Sequence, residues 1–197
     1  MTALPPDLPA LGPQAAAQID AWLALLLKWN ARMNLTAIRD PEQILRRHVA
    51  ESLFAASLVP QSARTLLDYG SGAGLPGIPI AVARPEISVT LAESQGKKAA
   101  FLRESVRTLA LHAEVWAARV ESMPPDRLFD AITLRAVDKM AEACRTAVLR
   151  LAPGATLLVF ATQDTEPALD TLPGIHWQRS VPIPGSDQSL IRIGLRA

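Results

Sequence analysis

Residues 66–79 read Leu-Leu-Asp-Tyr-Gly-Ser-Gly-Ala-Gly-Leu-Pro-Gly-Ile-Pro, and this stretch decides the fold. Its apolar start predicts a buried strand that ends near Asp68, its four glycines predict a tight loop, and a helix is expected to follow. Glycine is needed where a ligand approaches the backbone or where φ turns positive. The spacing Gly72-x-Gly74-x-x-Gly77 also fits the dinucleotide fingerprint, so the loop alone does not identify the ligand.

Two acidic residues help to choose between possible ligands. A carboxylate at Asp68, just before the loop, would repel the pyrophosphate of a dinucleotide but suits a cation such as the ammonium group of S-adenosylmethionine. Glu93 ends the next apolar strand, 23 residues after Gly70, about where an acidic residue binds ribose hydroxyls in Rossmann-like folds. The residues therefore favour an S-adenosylmethionine site that includes Asp68, Gly70, Gly72, Gly74 and Glu93, with NAD as the weaker alternative.

Composition indicates one folded domain with a small extension. The chain has 197 residues, of which 49% are hydrophobic and 20% charged, enough for a full core and unlike a disordered chain. Cys144 is the only cysteine, and with three scattered histidines it forms no metal-ligand spacing. The N-terminus does not resemble a signal peptide, and the apolar run 22–27 is too short to cross a bilayer. We expect a cytoplasmic protein without metal or membrane partners.

A helical extension, residues 1–60, is predicted before the main domain. It begins with a proline-rich lead-in at 5–13. Apolar residues at helical spacing then predict a helix over 14–33. A second helix is predicted over 41–57, and it begins at a proline after Asp40, a natural N-cap.

Strands and helices alternate over residues 61–197, which predicts a second, larger domain. The strands are almost entirely apolar, so the sheet should be mostly parallel and covered on both faces. The last two strands have no helix between them, which predicts an antiparallel last strand. This α/β pattern is typical of class I (Rossmann-like) methyltransferases with a seven-stranded sheet. The predicted strands are 65–69, 88–92, 113–117, 129–134, 155–161, 175–181 and 190–195, and the predicted helices are 77–84, 97–110, 139–151 and 164–172.

Positive charge is concentrated in short segments although the net charge is only +1. One is Arg46-Arg47-His48 in the second predicted helix, and another is Lys97-Lys98. Such clusters are either solvated helix faces or contacts for nucleic-acid phosphates.

Further motifs lie outside the glycine loop and extend over nearly the whole chain. Together with the loop's Leu-Pro-Gly-Ile-Pro ending, they resemble the bacterial 16S ribosomal RNA guanine-N7 methyltransferases of the RsmG type, also called glucose-inhibited division protein B. The matching segments are Trp29-Asn30-Ala-Arg-Met-Asn34-Leu35-Thr36, Arg47-His48-Val-Ala-Glu51-Ser52-Leu53, Glu93-Ser94-Gln-Gly96-Lys97-Lys98, Arg119-Val120-Glu121 and Arg135-Ala136.

This resemblance implies methyl transfer from S-adenosylmethionine to N7 of a guanine in the 530 loop (position 527) of 16S rRNA. The small ribosomal subunit is then the partner, and a monomer is expected. N7 carries an unprotonated lone pair, so transfer depends on alignment rather than on a general base. No catalytic residue is therefore predicted, and Arg135 is a candidate for positioning. The resemblance implies cofactor contacts at Gly70, Leu75, Glu93, Val120, Glu121 and Arg135, and the candidate contacts with substrate RNA are Asn34, Arg46, Arg47 and His48.

The chain departs from the family pattern at the end of the fifth predicted strand. Members usually read Leu-Lys-Gly where this chain has Phe160-Ala161-Thr162, and commonly Ser-Arg-Ala where it has Leu134-Arg135-Ala136. Two alternatives to the implied function stay open: a methyltransferase acting on another RNA, a protein or a small molecule, and a non-catalytic ribosome-associated factor.

Structural roles are also open for several candidates near the N-terminus. Asn34 and Thr36 are alternatively turn-capping residues between the two helices. His48 is alternatively a helix-packing histidine. Glu51 is expected to bond to the loop around Asn34 and to brace the helical extension.

Overall fold

The computed structural model describes residues 11–197, so most of the proline-rich lead-in predicted at 5–13 lies outside the described residues. The fold is a seven-stranded sheet with helices on both faces and further helices before the first strand. The helices are α1 (Pro13–Asn30), α2 (Pro41–Gln43), α3 (Ala50–Leu58), α4 (Gly77–Ala83), α5 (Gly96–Thr108) and α6 (Met140–Val148). The strands are β1 (Thr65–Tyr69), β2 (Ser88–Ala92), β3 (Ala113–Trp116), β4 (Phe129–Leu134), β5 (Leu151–Thr162), β6 (Ile175–Pro182) and β7 (Ser189–Arg196).

The sheet confirms the predicted fold class. Its strand order is β3-β2-β1-β4-β5-β7-β6, and the five strands from β3 to β5 pair in parallel. The last strand, β7, runs antiparallel to both β5 and β6. The carboxyl ends of β1, β2 and β4 therefore meet at one edge, where open α/β sheets bind ligands.

The first helix is shorter than predicted, because a side chain terminates it. α1 ends at Asn30 rather than at residue 33. The Asn30 amide oxygen accepts hydrogen bonds from the backbone N–H groups of Leu35, at 2.8 Å, and Thr36, at 3.1 Å, while its Nδ2 donates to the Thr36 carbonyl. Asn30 thus closes the loop that leads to the second helix.

The second helical run extends over 41–58, close to the prediction, and contains an irregular turn. Asp40 caps its start by accepting a hydrogen bond from the backbone N–H of Gln43 at 3.2 Å. Residues Ile44–Val49 form a π-helical turn between α2 and α3. Such turns are frequent at functional sites, and this one carries Arg46, Arg47 and His48.

Three predicted elements differ most in the second half of the chain. β5 begins at Leu151, because Leu151 pairs with Phe129 before an irregularity in the ladder, so α6 stops at Val148. The helix predicted over 164–172 is only a 3₁₀ turn, Glu166–Leu169. At its start, the Thr165 hydroxyl accepts a hydrogen bond from the backbone N–H of Thr162, a local side-chain contact that competes with helix formation.

The apolar core lies on both faces of the sheet. On one face, Trp22 and Leu26 of α1 and Leu53 of α3 are fully buried in the same cluster as Phe101 of α5. α6 covers the other face. The N-terminal helices are therefore packed onto the sheet domain and hold their loops beside its carboxyl edge. None of the helices within residues 11–197 is long and apolar enough to cross a membrane.

Candidate functional site

A cleft of about 910 Å³ lies at the carboxyl edge of β1, β2 and β4. This volume is near the upper end of the range for small-molecule sites, about 300–1,000 Å³. The loop 35–38 from the N-terminal helices forms part of its wall. The cleft brings together eight of the predicted residues: Gly70, Gly72, Leu75, Glu93, Val120, Glu121, Arg135 and His48.

The glycine loop needs its glycines for two different reasons. At Gly74, φ is +86°, and a Cβ atom would lie 2.3 Å from Cδ1 of Ile78, so any side chain would collide with the following helix. At Gly72, φ is +55°, but the nearest atom to an added Cβ is 3.8 Å away. Gly72 lines the cleft and Gly74 does not, so a side chain at Gly72 would be strained and would occupy ligand space.

Asp68 lies beneath the glycine loop and does not line the cleft, although the sequence suggested that it faces a ligand. It is 1% exposed. Its Oδ2 accepts a hydrogen bond from the backbone N–H of Gly77 at 3.1 Å, and its Oδ1 accepts one from the Thr133 hydroxyl at 2.9 Å. Burial raises the pKa of this carboxyl to about 6. Asp68 therefore fixes the start of α4 beneath the glycine loop.

Glu93 combines a structural contact with a position in the cleft. One carboxylate oxygen accepts a hydrogen bond from the backbone N–H of Gly72 at 3.1 Å, and the other accepts one from Gln95 at 2.7 Å. Each carboxylate oxygen has a second lone pair. Glu93 can thus hold the glycine loop and still accept hydrogen bonds from a ligand.

Val120 and Glu121 begin a 3₁₀ turn after β3. The Tyr69 hydroxyl donates a hydrogen bond to Oε1 of Glu121 at 2.9 Å, and Tyr69 itself lines the cleft. Burial and the bond to Glu121 raise the pKa of Tyr69 to about 12, so it stays a neutral donor. Tyr69 was not among the predicted site residues, although its place at the carboxyl end of β1 was a signal for it.

Arg135 connects β4 to the N-terminal helices. Its Nη2 donates hydrogen bonds to Oε2 of Glu51 and to Nδ1 of His48, the latter at 2.7 Å. Its guanidinium lies 5.4 Å from the centre of the Phe160 ring, a cation–π contact. Nη1 is buried and has no hydrogen-bond partner within residues 11–197. Arg135 is thus held on one side and has donor capacity left for a ligand.

The sequence suggested that Glu51 bonds to the loop around Asn34. In the structure it bonds to Arg135 instead. Asn30 braces that loop instead. Burial raises the pKa of Glu51 against the opposing effect of Arg135. For His48, burial, Arg135 and Arg47 lower the pKa to about 4, so its ring is neutral at neutral pH.

Three predicted RNA contacts lie outside the cleft and are exposed. Arg46 forms an ion pair with Glu42 at 2.7 Å on the helix surface. Arg47 follows it on the same π-helical turn as His48. Asn34 accepts a hydrogen bond from Arg39 at 3.5 Å. These side chains are accessible to a large partner rather than to a small ligand.

Metal-ligating side chains are scattered over the described part of the chain. Among residues 11–197, no group of three or more His, Cys, Asp or Glu side chains is placed to hold a metal ion. Cys144 is buried, and burial raises the pKa of its thiol to about 12.

Comparison with known proteins places this cleft in a family. The model of the GidB family, described as rRNA small subunit methyltransferase G, matches residues 15–172. The chain belongs to this family. Ribosomal RNA small subunit methyltransferase G of Xanthomonas campestris pv. campestris (strain B100) is 44% identical over 167 residues, which are 79% of this chain and 78% of the relative. The protein of the same description from Stenotrophomonas maltophilia (strain K279a) is 46% identical over 138 residues, 70% of this chain and 64% of the relative.

Solved structures with the same fold are methyltransferases. A SAM-dependent methyltransferase from Aquifex aeolicus matches with a TM-score of 0.64 at 16% identity, over 89% of this chain and 98% of that chain. The N-methyltransferase NodS from Bradyrhizobium japonicum WM9, in complex with S-adenosyl-L-homocysteine, matches with a TM-score of 0.60 at 17% identity, over 91% and 98%. Family membership confirms the resemblance identified from the sequence, and the fold agrees with the predicted methyltransferase class. The roles of individual residues stay predictions.

Proposed function

We propose that this protein transfers a methyl group from S-adenosylmethionine to N7 of a guanine in the 530 loop, at position 527, of 16S rRNA. One observation carries the proposal. This chain belongs to a family described as rRNA small subunit methyltransferase G, and its cleft gathers the glycine loop, Glu93, Val120 and Arg135 at one sheet edge. The position of the target base comes from the family resemblance.

The cleft offers complementary groups to each part of S-adenosylmethionine, which supplies an electrophilic methyl group on a sulfonium. Glu93 has free carboxylate lone pairs for ribose hydroxyls, and Val120 offers an apolar surface to the adenine. Gly70 and Gly72 let the backbone approach the methionine portion. The unpartnered Nη1 of Arg135 is a donor for its carboxylate.

The chemistry asks little of the protein beyond alignment. The N7 lone pair forms the new bond to the methyl carbon as the carbon–sulfur bond breaks, so no proton is removed in this step. Alignment of nitrogen, methyl and sulfur supplies the main rate gain. The product base carries a positive charge, so neutral or acidic groups are preferred around it. The neutral ring of His48 meets this requirement.

Substrate RNA is proposed to meet the exposed side chains of the π-helical turn. Arg46 and Arg47 are exposed beside the cleft residue His48, where they can contact phosphates. Phosphate contacts release counterions, so rRNA binding should weaken steeply as salt rises. The small ribosomal subunit is therefore the proposed partner.

The test is transfer of a labelled methyl group from S-adenosylmethionine to 30S subunits purified from a strain that lacks this modification. Wild type should label 16S rRNA, while Gly72→Val, which fills the cleft, should lose both cofactor binding and transfer. Gly96→Ala is the matched control, because nothing lies within 4 Å of a Cβ atom there. Cofactor binding that is equal in Gly72→Val and wild type would refute the site assignment.

A second variant separates the alternative substrates from a non-catalytic role. Ala161 is partly buried on β5, pairs with Leu190 of β7 and is not among the residues that line the cleft. If wild type binds S-adenosylmethionine but transfers no label, Ala161→Lys restores the residue usual in the family. Labelling by that variant alone would contradict the proposal for the natural chain and would indicate a binding role.

A further inference from the structure

The hydrogen bonds of His48 fix which ring nitrogen carries its proton. Nη2 of Arg135 lies 2.7 Å from Nδ1 of His48. Arginine is always a donor, so Nδ1 must accept. Because the imidazole is neutral at neutral pH, its single proton is on Nε2. His48 therefore presents an N–H donor at Nε2.

This donor is available to a ligand. Nε2 has no hydrogen-bond partner in the stretch that the structure covers, residues 11–197. His48 is partly exposed, and Nε2 is not one of the buried side-chain atoms of that stretch that lack a partner. Solvent can therefore reach it. The residue lines the cleft. An unpaired, accessible N–H on a side chain that Arg135 holds in place is suited to recognise an acceptor.

The sheet order places His48 at the end of the cleft away from the proposed adenosine site. Glu93 follows β2, and Val120 follows β3, whereas Arg135 follows β4. Since β1 lies between β2 and β4, the partner of Arg135 is on the opposite side of the glycine loop from Glu93. That side of the cleft is left for the substrate base.

We propose that Nε2 of His48 donates a hydrogen bond to O6 of the guanine whose N7 is methylated, and so selects guanine over adenine. This inference rests on the proposed function. O6 and N7 are adjacent acceptors on one edge of guanine, so a donor at O6 also fixes the direction of the N7 lone pair. Adenine presents an amino donor at the position of O6, which would face the His48 donor.

Protonation of the ring would work against the reaction. A second proton on His48 would place a cation beside a base that becomes positively charged. Burial, Arg135 and Arg47 keep the pKa of His48 near 4, which maintains the neutral donor. This agrees with a recognition role rather than with proton transfer.

Two conservative variants separate recognition from bracing of Arg135. In His48→Gln, the amide nitrogen reaches the place of Nε2 and keeps a donor there, but the acceptor for Arg135 is lost. In His48→Asn, the amide oxygen takes the place of Nδ1 and keeps the acceptor, but the donor is lost. We expect kcat/KM for 30S subunits to fall about tenfold in His48→Asn and by less than about threefold in His48→Gln. The reverse order would show that bracing of Arg135 is the function and would overturn the proposal.

A base analogue tests the contact itself. Subunits are reconstituted with 16S rRNA that carries 2-aminopurine at position 527, which lacks O6 and keeps N7. The fall in kcat/KM from guanine to 2-aminopurine should be about tenfold larger for wild type than for His48→Asn, because the variant has no O6 contact to lose. Equal losses in both proteins would overturn the inference while leaving the proposed function intact. Failure of wild type to methylate N7 of the natural guanine would refute the proposed function and the inference with it.

Discussion

Asp68→Asn should remove a pH dependence of stability that comes from one buried carboxyl. Burial raises the pKa of Asp68 from 3.8 to about 6 in the folded protein. A raised carboxyl pKa means that the folded state binds the proton more tightly than the unfolded state. The stability contributed by this group is therefore present below pH 4 and is lost as pH rises through about 6. The full loss corresponds to about 3 kcal/mol, at about 1.4 kcal/mol for each pKa unit.

Asparagine can keep both hydrogen bonds of the native carboxyl. Its amide oxygen can accept from the backbone N–H of Gly77, and its amide nitrogen can donate to the Thr133 hydroxyl, which also accepts hydrogen bonds. The substitution thus removes the ionisation while Gly77 and Thr133 each keep a hydrogen bond to residue 68. Relative to wild type, Asp68→Asn should gain about 2 kcal/mol in free energy of unfolding between about pH 4.5 and about pH 7.5.

Urea unfolding followed by tryptophan fluorescence measures this difference at each pH. His48 has the opposite pH dependence: its pKa is lowered to about 4, so its contribution is present above pH 6.5 and is lost as pH falls. Comparison of the two proteins at the same pH cancels that contribution. Asp187→Asn, at an exposed residue between β6 and β7, is the control and should change stability at neutral pH by less than about 0.5 kcal/mol. A difference between Asp68→Asn and wild type that stays constant with pH would refute the reasoning.

Three further substitutions test the supports of the cleft. Gly77→Ala would place a Cβ atom 2.4 Å from Cδ2 of Leu91. We therefore expect urea unfolding to show a free energy of unfolding lower by about 1–3 kcal/mol. An unchanged unfolding midpoint would contradict this packing. Arg84 donates hydrogen bonds to three backbone carbonyls at the end of α3 and just after it. Because the loss of these bonds costs about 2 kcal/mol, Arg84→Ala should lower the melting temperature by about 4–8 °C in calorimetry. A shift below about 1 °C would reject that role. Glu93→Gln leaves one acceptor oxygen for two backbone donors. Titration calorimetry should therefore show that its affinity for S-adenosylmethionine is reduced about tenfold. An affinity equal to that of wild type would show that Glu93 does not bind the cofactor.

The sequence predicted the cleft residues that follow strand ends, because that placement depends only on local pattern and on the rule for parallel sheets. Gly70, Glu93, Val120 and Arg135 each come at or just after the carboxyl end of a strand. In a parallel sheet these ends meet at one edge, so a correct strand assignment brings such residues together.

The contacts that the sequence did not predict depend on packing between distant segments. Glu51 and Arg135 are 84 residues apart and meet only because the N-terminal helices pack onto the sheet. The side chain of Asp68 faces away from the cleft, and β1 is buried on both faces, so alternation along the strand carried no signal of its direction. The 3₁₀ turn at Glu166–Leu169 was predicted as a full helix. A segment this short has no clear period, so the sequence does not distinguish a full helix from a single turn.

Mapping the methylated atom tests the central claim most directly. After transfer to 30S subunits that lack the modification, borohydride reduction and aniline treatment cleave 16S rRNA at N7-methylguanine. The proposed function predicts one new cleavage, in the 530 loop at position 527, that requires both the protein and S-adenosylmethionine and is absent with Gly72→Val. Labelled 16S rRNA without cleavage at that guanine would contradict it.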